Sequence, residues 1–321
     1  MSFLHQNYMR SYGEGDTWTV EIDPPSRPVK SYYEECCLAA EMWWEKKIGD
    51  MHVLLSGGLD SEFVLATFLS LKMNITPVIM NLWSKEGINY NHHDTQYAFK
   101  FCEYQNIKPL VFDLNFDDFV ESGKLLDIAN PIKTCTVSLP PSMWLASQLD
   151  GTVLTGNDPP HLRLDDKTNL WYLNEEELIH TQFRYWQNAK VHGTPFFLSY
   201  TAEQMLSFLL DPTMEKLANH GFPGKLGSNS TKVHVFCNKS FFNLEPRKKA
   251  TGYEIIYQSP IFKHPDCQEI TSWQPTHWGV SDHQYHDVVN KLTNGVTSIG
   301  INNGYFPTKF LYESNNSNNL E

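Results

Sequence analysis

The chain has 321 residues, 41% of them hydrophobic, and its 37 acidic residues outnumber 25 lysines and arginines to give a formal net charge of −12. This composition is typical of a globular protein, and the charge disfavours a nucleic-acid partner because each neutralised phosphate needs a cation. The sequence has no apolar run of about 18 residues and no apolar centre of a signal peptide near its start, so we expect a cytoplasmic protein without a membrane partner.

The first predicted elements lead up to a glycine-rich loop. Residues 1–30 are polar and rich in turn formers, and we interpret them as a loosely structured lead-in with one short strand at residues 18–22. Ser31 is expected to cap a helix that continues to Lys47. Residues 51–55 form a short, continuous apolar run, and this pattern is typical of a strand buried on both faces of a parallel sheet.

Helical and strand patterns alternate along the residues that follow. They predict a helix at 60–72, a strand at 76–82, a helix at 93–106, a strand at 109–114, a helix at 138–148 and a strand at 152–155. This alternation is typical of an α/β fold with a doubly wound, mostly parallel sheet and helices on both faces. Ligands of such sheets bind beyond the carboxyl ends of the strands, where the two motifs described below lie.

The pattern changes after about residue 165. Helices are predicted at 175–189 and 201–219, a Gly- and Ser-rich turn region at 221–230, and a strand at 232–237. We divide the chain into a lead-in (1–30) and an ATP-binding α/β domain (31–165). A mainly helical acceptor-binding region packed on the sheet (166–313) and a disordered Asn/Ser-rich tail (314–321) follow.

The loop after the first buried strand reads Ser56-Gly57-Gly58-Leu59-Asp60-Ser61. Two glycines let the backbone turn tightly and present N–H groups to an anion, and the helix that follows adds the positive end of its dipole. Ser56 and Ser61 offer hydroxyl donors, while Asp60 offers a carboxylate for Mg²⁺. These features predict a loop that binds pyrophosphate; the structural alternative is a plain strand–turn–helix junction with Asp60 as the helix cap.

The spacing of this loop differs from the GxxxxGK[ST] of kinase-type loops, so we do not expect transfer of a γ-phosphoryl group. The loop resembles the SGGxDS signature of the PP-loop, or N-type, ATP pyrophosphatases, which have the adenine nucleotide alpha hydrolase-like fold. The LLSGGLDS form looks most like the synthetase domain of asparagine synthetases and β-lactam synthetases. This resemblance covers residues 31–165 and implies cleavage of ATP between its α- and β-phosphates, with transfer of AMP to a substrate oxygen.

The same resemblance implies positions for the nucleotide. Pyrophosphate would lie in residues 56–61, and adenine would lie near the end of the second strand of the sheet, at Met80, Asn81 and Leu82. ATP and Mg²⁺ are therefore the expected cofactors.

A second motif, Thr155-Gly156-Asn157-Asp158, follows the last strand of the predicted sheet. The asparagine synthetase pattern reads SGEGxDE there, so Gly156 matches the glycine behind ATP and Asp158 is the candidate for a second Mg²⁺ ligand. Asn157 stands where the family has a glutamate, which removes a general base, and Asp165 and Asp166 are the candidate substitutes. The structural alternative is a Gly-Asn-Asp turn ended by two prolines.

A basic segment, Arg247-Lys248-Lys249-Ala250-Thr251-Gly252, resembles the RxKxxxxG stretch of the same family. The resemblance implies that Lys249 contacts the phosphates and stabilises the transition state, with Arg247 as its helper. A cation at the α-phosphate suits such a reaction because negative charge builds on the non-bridging oxygens. The alternative is a solvated basic loop, since the glycine comes earlier than in the family pattern.

These features predict an AMP-forming ligase that adenylates a carboxylate for amide bond formation. An N-terminal nucleophilic cysteine like that of glutamine-dependent asparagine synthetases is absent, so the expected partners are a small carboxylate or amine acceptor and a separate nitrogen donor. Two other classes stay open. One is an RNA-modifying enzyme of the thiolation or lysidine type, disfavoured by the acidic charge and the missing CxxC pair; the other is a nucleotide-binding protein without turnover, suggested by Asn157.

Overall fold

The computed structural model describes the side chains of residues 27–132, 134, 136–156, 182–208, 211, 235–236 and 253–272. It describes further backbone elements at residues 2–4, 8–12, 18–22, 161–165, 170–174, 177–181 and 209. No helix in this described part of the chain is long and apolar enough to cross a membrane.

The strands of the described residues form three sheets. In chain order they are β1 (Ser2–Leu4), β2 (Tyr8–Tyr12), β3 (Trp18–Ile22), β4 (Met51–Leu54), β5 (Thr76–Trp83), β6 (Leu110–Asn115), β7 (Thr152–Thr155), β8 (His161–Asp165), β9 (Leu170–Asn174) and β10 (His192–Thr194). Strands β1 to β3 pair antiparallel, as do β8 and β9. The main sheet is five-stranded, has the order β10-β7-β4-β5-β6, and is parallel throughout.

The α-helices of the described residues lie mainly between and after these strands. They are α1 (Tyr32–Lys46), α2 (Leu59–Ser70), α3 (His92–Tyr104), α4 (Phe116–Glu121), α5 (Lys124–Ile132), α6 (Leu139–Gln148), α7 (Glu177–Ala189), α8 (Ala202–Leu209), α9 (Glu254–Gln258) and α10 (Pro265–Ser272). Helix α1 begins as predicted at Ser31, whose backbone N–H donates a hydrogen bond to the Glu34 carboxylate at 3.1 Å. This hydrogen bond is part of a capping box, and it gives the Ser31 N–H a partner that the backbone of the helix does not provide.

Helices cover both faces of the main sheet, as the side chains of its central strand show. Val53 and Leu55 pack into one hydrophobic cluster with residues of α1, α2 and α8, whereas the intervening Leu54 packs with α6 and α7 on the other face. Strand β5 alternates in the same way, with Ile79 in the first cluster and Leu82 in a cluster with α4, α5 and α9. The predicted α/β fold with a doubly wound parallel sheet is therefore confirmed.

The strand order reverses direction at β4. Strands β5 and β6 follow on one side of it, while β7 and then β10 lie on the other. Between β4 and β7 the connections leave in opposite directions, so a crevice opens beyond the carboxyl ends of these two strands. The loop at residues 56–61 follows β4 and Gly156 follows β7, which places both sequence motifs at this crevice.

The predicted strands and helices between residues 51 and 155 are confirmed, with ends that differ by at most two residues. Strand β10 was not predicted, although it extends the main sheet beyond residue 165. The strand predicted at 232–237 is wrong where the structure describes it, because Val235 and Phe236 are helical. Phe236 is fully buried, and its ring stacks on Phe63 of α2 at 4.3 Å between centroids, so this segment packs on α2 and does not extend a sheet.

Candidate functional site

The loop at residues 56–61, called the phosphate loop below, is closed by its own hydrogen bonds. Helix α2 begins at Leu59 with Gly58 as its N-cap residue. The Ser61 hydroxyl donates to the Gly58 carbonyl at 2.9 Å, and the backbone N–H groups of Ser56 and Gly58 donate to the Ser61 and Ser56 hydroxyls, each at 3.3 Å. These bonds hold the loop in one shape at the positive end of the α2 dipole, where an anion is stabilised.

Gly57 is required by both its backbone angle and its surroundings. Its φ is +79°, a left-handed conformation that residues with a Cβ rarely adopt. A Cβ atom at this position would lie 2.2 Å from the carbonyl oxygen of Asp94, in the first turn of α3. The phosphate loop therefore packs directly against the start of α3, and no larger residue fits between them.

Gly156 brings the second motif against the first. A Cβ atom on Gly156 would lie 2.5 Å from the carbonyl carbon of Asp60 and 2.6 Å from the backbone nitrogen of Ser61. The end of β7 therefore touches the first turn of α2, and only a residue without a side chain permits this approach.

A recess opens beside the phosphate loop at the carboxyl ends of β4 and β5. It contains about 520 Å³ of empty space, part of which is open to solvent. Its walls are mainly apolar with a few polar groups, and they are formed by Leu54, Leu55, Ser56, Val78, Met80, Asn91, Asp94, Thr95, Ser142, Leu145 and Tyr253. We call it the strand-end recess; Ser56 belongs to both the recess and the phosphate loop.

Asn91 fixes the polar backbone groups at the end of β5. Its side-chain amide donates to the carbonyl of Met80 at 2.9 Å and accepts from the N–H of Leu82 at 2.8 Å. Asn91 is the N-cap residue of α3, but its side chain makes no capping hydrogen bond. It holds the β5 end against the start of α3 instead.

The three residues predicted to contact adenine have different surroundings. Met80 lines the strand-end recess. Asn81 points toward β6, where its side-chain amide donates to Asp113 at 2.9 Å, and Leu82 is fully buried in the cluster with α4 and α5. The Val78 carbonyl accepts from the N–H of Leu55, the residue after β4, so the N–H of Met80, two residues on, points in the same direction past the end of β4.

Sequence reasoning missed several residues that line the recess. Asp94 and Thr95 lie in the first turn of α3 and are buried, and Ser142 and Leu145 lie on α6. The Thr95 hydroxyl is buried and makes no hydrogen bond to any residue that the structure describes. The first turn of a helix that follows a parallel strand faces the same crevice, so the start of α3 was predictable from the topology alone.

Tyr253 enters the recess from a distant part of the chain. It is the N-cap residue of α9, and loss of solvent raises the pKa of its hydroxyl well above the usual value, with smaller contributions from Tyr257 and Asp94. The next residue, Glu254, lies with its Oε2 3.4 Å from Nε2 of His93, in the first turn of α3. The C-terminal region therefore touches the helix turn that also contacts Gly57.

Asp60 is the described member of the predicted metal set. It lies in the first turn of α2, beside the loop serines. The described residues contain no group of three or more His, Cys, Asp or Glu side chains suited to a metal by themselves. One carboxylate nevertheless suits Mg²⁺ that arrives with a nucleotide, because phosphate oxygens and water supply its remaining ligands.

Other predicted site residues lie outside the described residues. These are Asn157, Asp158, Asp166, Arg247, Lys248 and Lys249. Asp165 is described only as the backbone end of β8. Their predicted roles stay predictions.

No family model and no curated protein matches the chain. One solved structure with similarity to it is a predicted subunit of tRNA methyltransferase from Methanocaldococcus jannaschii. The two chains are 20% identical over 46% of this chain and 68% of that chain, with a TM-score of 0.27. So distant a likeness transfers no activity, and the α/β assignment rests on the strand order and the two covered faces of the sheet.

Proposed function

We propose that the protein binds MgATP at this crevice and transfers AMP to a substrate carboxylate, with release of pyrophosphate. The observation that carries the proposal is the direct contact of the two glycine motifs. A Cβ atom on Gly57 would overlap the first turn of α3, and a Cβ atom on Gly156 would overlap the first turn of α2, where the first motif ends. A loop of this shape, with N–H groups and hydroxyls at a helix start, suits the two phosphates of a pyrophosphate group.

The strand-end recess is the proposed site of the nucleoside. Its apolar walls suit the faces of a base, and the N–H of Met80 is directed past the end of β4 as a donor for a base nitrogen. Ser56 connects the recess to the phosphate loop, so a nucleotide placed with its base beside Met80 has its phosphates at residues 56–61.

The chemistry proposed for the site is displacement at the α-phosphorus. An oxygen of the acceptor carboxylate forms a bond to this phosphorus, the bond to the bridging oxygen breaks, and pyrophosphate leaves. Asp60 would hold the Mg²⁺ that neutralises the phosphates, and Lys249 with Arg247 would stabilise charge on the α-phosphate. Lys249 shortly precedes Tyr253, a residue that lines the recess, in the sequence.

Amide formation is the proposed second step, in which a nitrogen nucleophile attacks the acyl-adenylate and displaces AMP. The net charge of −12 disfavours an RNA acceptor and favours a small carboxylate. The acceptor-binding region is proposed to lie in the C-terminal half of the chain.

The test is pyrophosphate release from MgATP in the presence of a panel of amino acids, small carboxylates and ammonia. We expect release that depends on one acid and is lost in Asp60→Ala. Asp127→Ala is the matched control, because Asp127 also lies in the first turn of a helix, α5, away from the recess-lining residues. Its activity should equal that of the unaltered protein.

Two outcomes would overturn parts of the proposal. ATP binding without pyrophosphate release for any acid would exclude the amide synthetase and leave an RNA acceptor or a protein without turnover. Equal activity of Asp60→Ala and Asp127→Ala would remove Asp60 from the metal site.

A further inference from the structure

The strand-end recess is not built from the sheet region alone. Its floor comes from β4 and β5 and its sides from α3 and α6, but Tyr253 belongs to the segment at the start of α9. This residue lies far beyond residue 165, where the predicted ATP-binding domain ends. A nucleoside in the recess would therefore contact the C-terminal region as well as the sheet.

Two contacts hold Tyr253 in this position. Ile256, one helical turn later, is fully buried in the cluster that also contains Leu82 and Tyr90. Glu254 meets His93 at 3.4 Å, and both side chains are only partly exposed, at 40% and 32%. Ile256 therefore attaches the start of α9 to this cluster and Glu254 attaches it to α3, so both contacts hold Tyr253 beside the recess.

Tyr253 and the other residues that line the recess have the polar and apolar groups that a nucleoside site needs. Asp94 is buried and lines the same recess as Tyr253. A phenol that stays protonated offers an aromatic face for a base and a hydroxyl for a ribose or base oxygen. Leu54 and Leu145 supply apolar surface to the same recess.

We propose that Tyr253 contacts the nucleoside of the bound nucleotide and that the His93–Glu254 hydrogen bond positions it. This inference rests on the proposed function, since it assigns the recess to the nucleoside. It makes the C-terminal region part of the ATP site, so that a bound nucleoside joins α3, α6 and α9.

The inference is tested by isothermal titration of the full chain with two probes, AMP and magnesium pyrophosphate. Tyr253→Ala should weaken AMP binding by about tenfold or more, because an aromatic contact to a base is lost, and should leave pyrophosphate binding within about twofold. Tyr253→Phe should retain most of the AMP affinity. Tyr257→Ala is the matched control, since Tyr257 lies on the same helix but is 40% exposed and packs on Phe262.

The positioning role is tested at Glu254, a partly exposed residue whose replacement does not open a core. Glu254→Ala should weaken AMP binding about threefold to tenfold, whereas Glu254→Gln should restore it because the amide oxygen accepts the same hydrogen bond from His93. Glu269→Ala, an exposed glutamate on α10, should change nothing.

The outcomes separate this inference from the proposed function. Binding of neither probe to the unaltered protein would overturn both. Pyrophosphate binding together with unchanged AMP affinity in Tyr253→Ala would overturn the inference alone. Equal losses for AMP and pyrophosphate in the Tyr253 and Glu254 alanine variants would also overturn it, because the segment would then support the fold and not the nucleoside.

Discussion

At the residue scale, the candidate site depends on two glycines, because a Cβ atom at either position would overlap the neighbouring backbone. Gly57 touches the start of α3 and Gly156 touches the start of α2, so three segments of the chain meet without intervening side chains. The sequence alone indicated that the glycines serve an anion. It did not indicate that Gly57 is also needed for close packing, because the neighbouring Asp94 is brought there by the fold.

A comparison of Gly57→Ala with Gly87→Ala should separate the effect of backbone strain on the free energy of unfolding from the effect of crowding. Both glycines have nearly the same φ, +79° and +82°, but a Cβ on Gly87 would meet nothing within 4 Å. Gly87→Ala should cost about 1 kcal/mol of unfolding free energy from backbone strain alone. Gly57→Ala should cost about 3 kcal/mol and abolish pyrophosphate binding, because the added carbon displaces the phosphate loop or α3.

Urea unfolding and titration with magnesium pyrophosphate measure the two effects. Equal stability losses in both variants would contradict the close packing of Gly57 against Asp94. Retained pyrophosphate binding in Gly57→Ala would contradict the role of the loop shape.

At the element scale, the site depends on how β5 ends and α3 begins. Asn91 joins these elements through its bonds to Met80 and Leu82. Without these bonds, Met80 and the first turn of α3 could move apart, and both form walls of the recess. The element boundary is therefore as important to the proposed nucleoside site as any residue that contacts the ligand.

Asn91→Ala should destabilise the protein and weaken AMP binding. Loss of both hydrogen bonds leaves partly buried backbone groups without partners, at a cost of about 1–3 kcal/mol. Asn115→Ala is the matched control: Asn115 is the N-cap residue of α4, its side chain accepts from the N–H of Asp118, and its loss should cost about 1 kcal/mol without affecting AMP. Chemical unfolding and AMP titration would refute the role of Asn91 if the two variants behaved alike.

The central strands and the phosphate loop were predictable because their signals are local. Apolar runs ended by glycines mark β4 and its loop, and the alternation of strands and helices gives the parallel sheet. Strand β10 was not predictable, since three residues carry too little pattern and form a strand only by pairing with β7. Tyr253 was missed for a similar reason: its place in the recess results from packing of α9, which no local pattern reveals.

At the scale of the whole molecule, buried thiols link stability to pH. Burial raises the pKa of Cys102 and of Cys267 to about 12 from the usual 9.0. A group whose pKa is higher in the folded state stabilises the fold fully below its unfolded pKa, and this stabilisation is lost as the pH rises toward the folded pKa. The fold should therefore weaken in alkaline solution, between pH 9.0 and about 12.

Unfolding free energies measured in urea across this pH range test the expectation. They should fall with rising pH, and the fall should be shallower in Cys102→Ala/Cys267→Ala, which lacks both titrating groups. Identical slopes for the double variant and the unaltered protein would contradict the assignment of this effect to the thiols.

The position of β10 has a practical consequence for anyone who would dissect the protein. A fragment cut at residue 165 loses the strand that pairs with β7, together with Phe197 and Leu198, which pack under α1 and α2. It would present an open sheet edge beside uncovered apolar surface, a combination that promotes aggregation. We expect this fragment to be insoluble on expression under conditions in which the full chain is soluble. Equal solubility of the fragment and the full chain would contradict this prediction. The proposed nucleotide site is thus inseparable from the later half of the sequence, and a shortened protein that keeps this site has to include both halves.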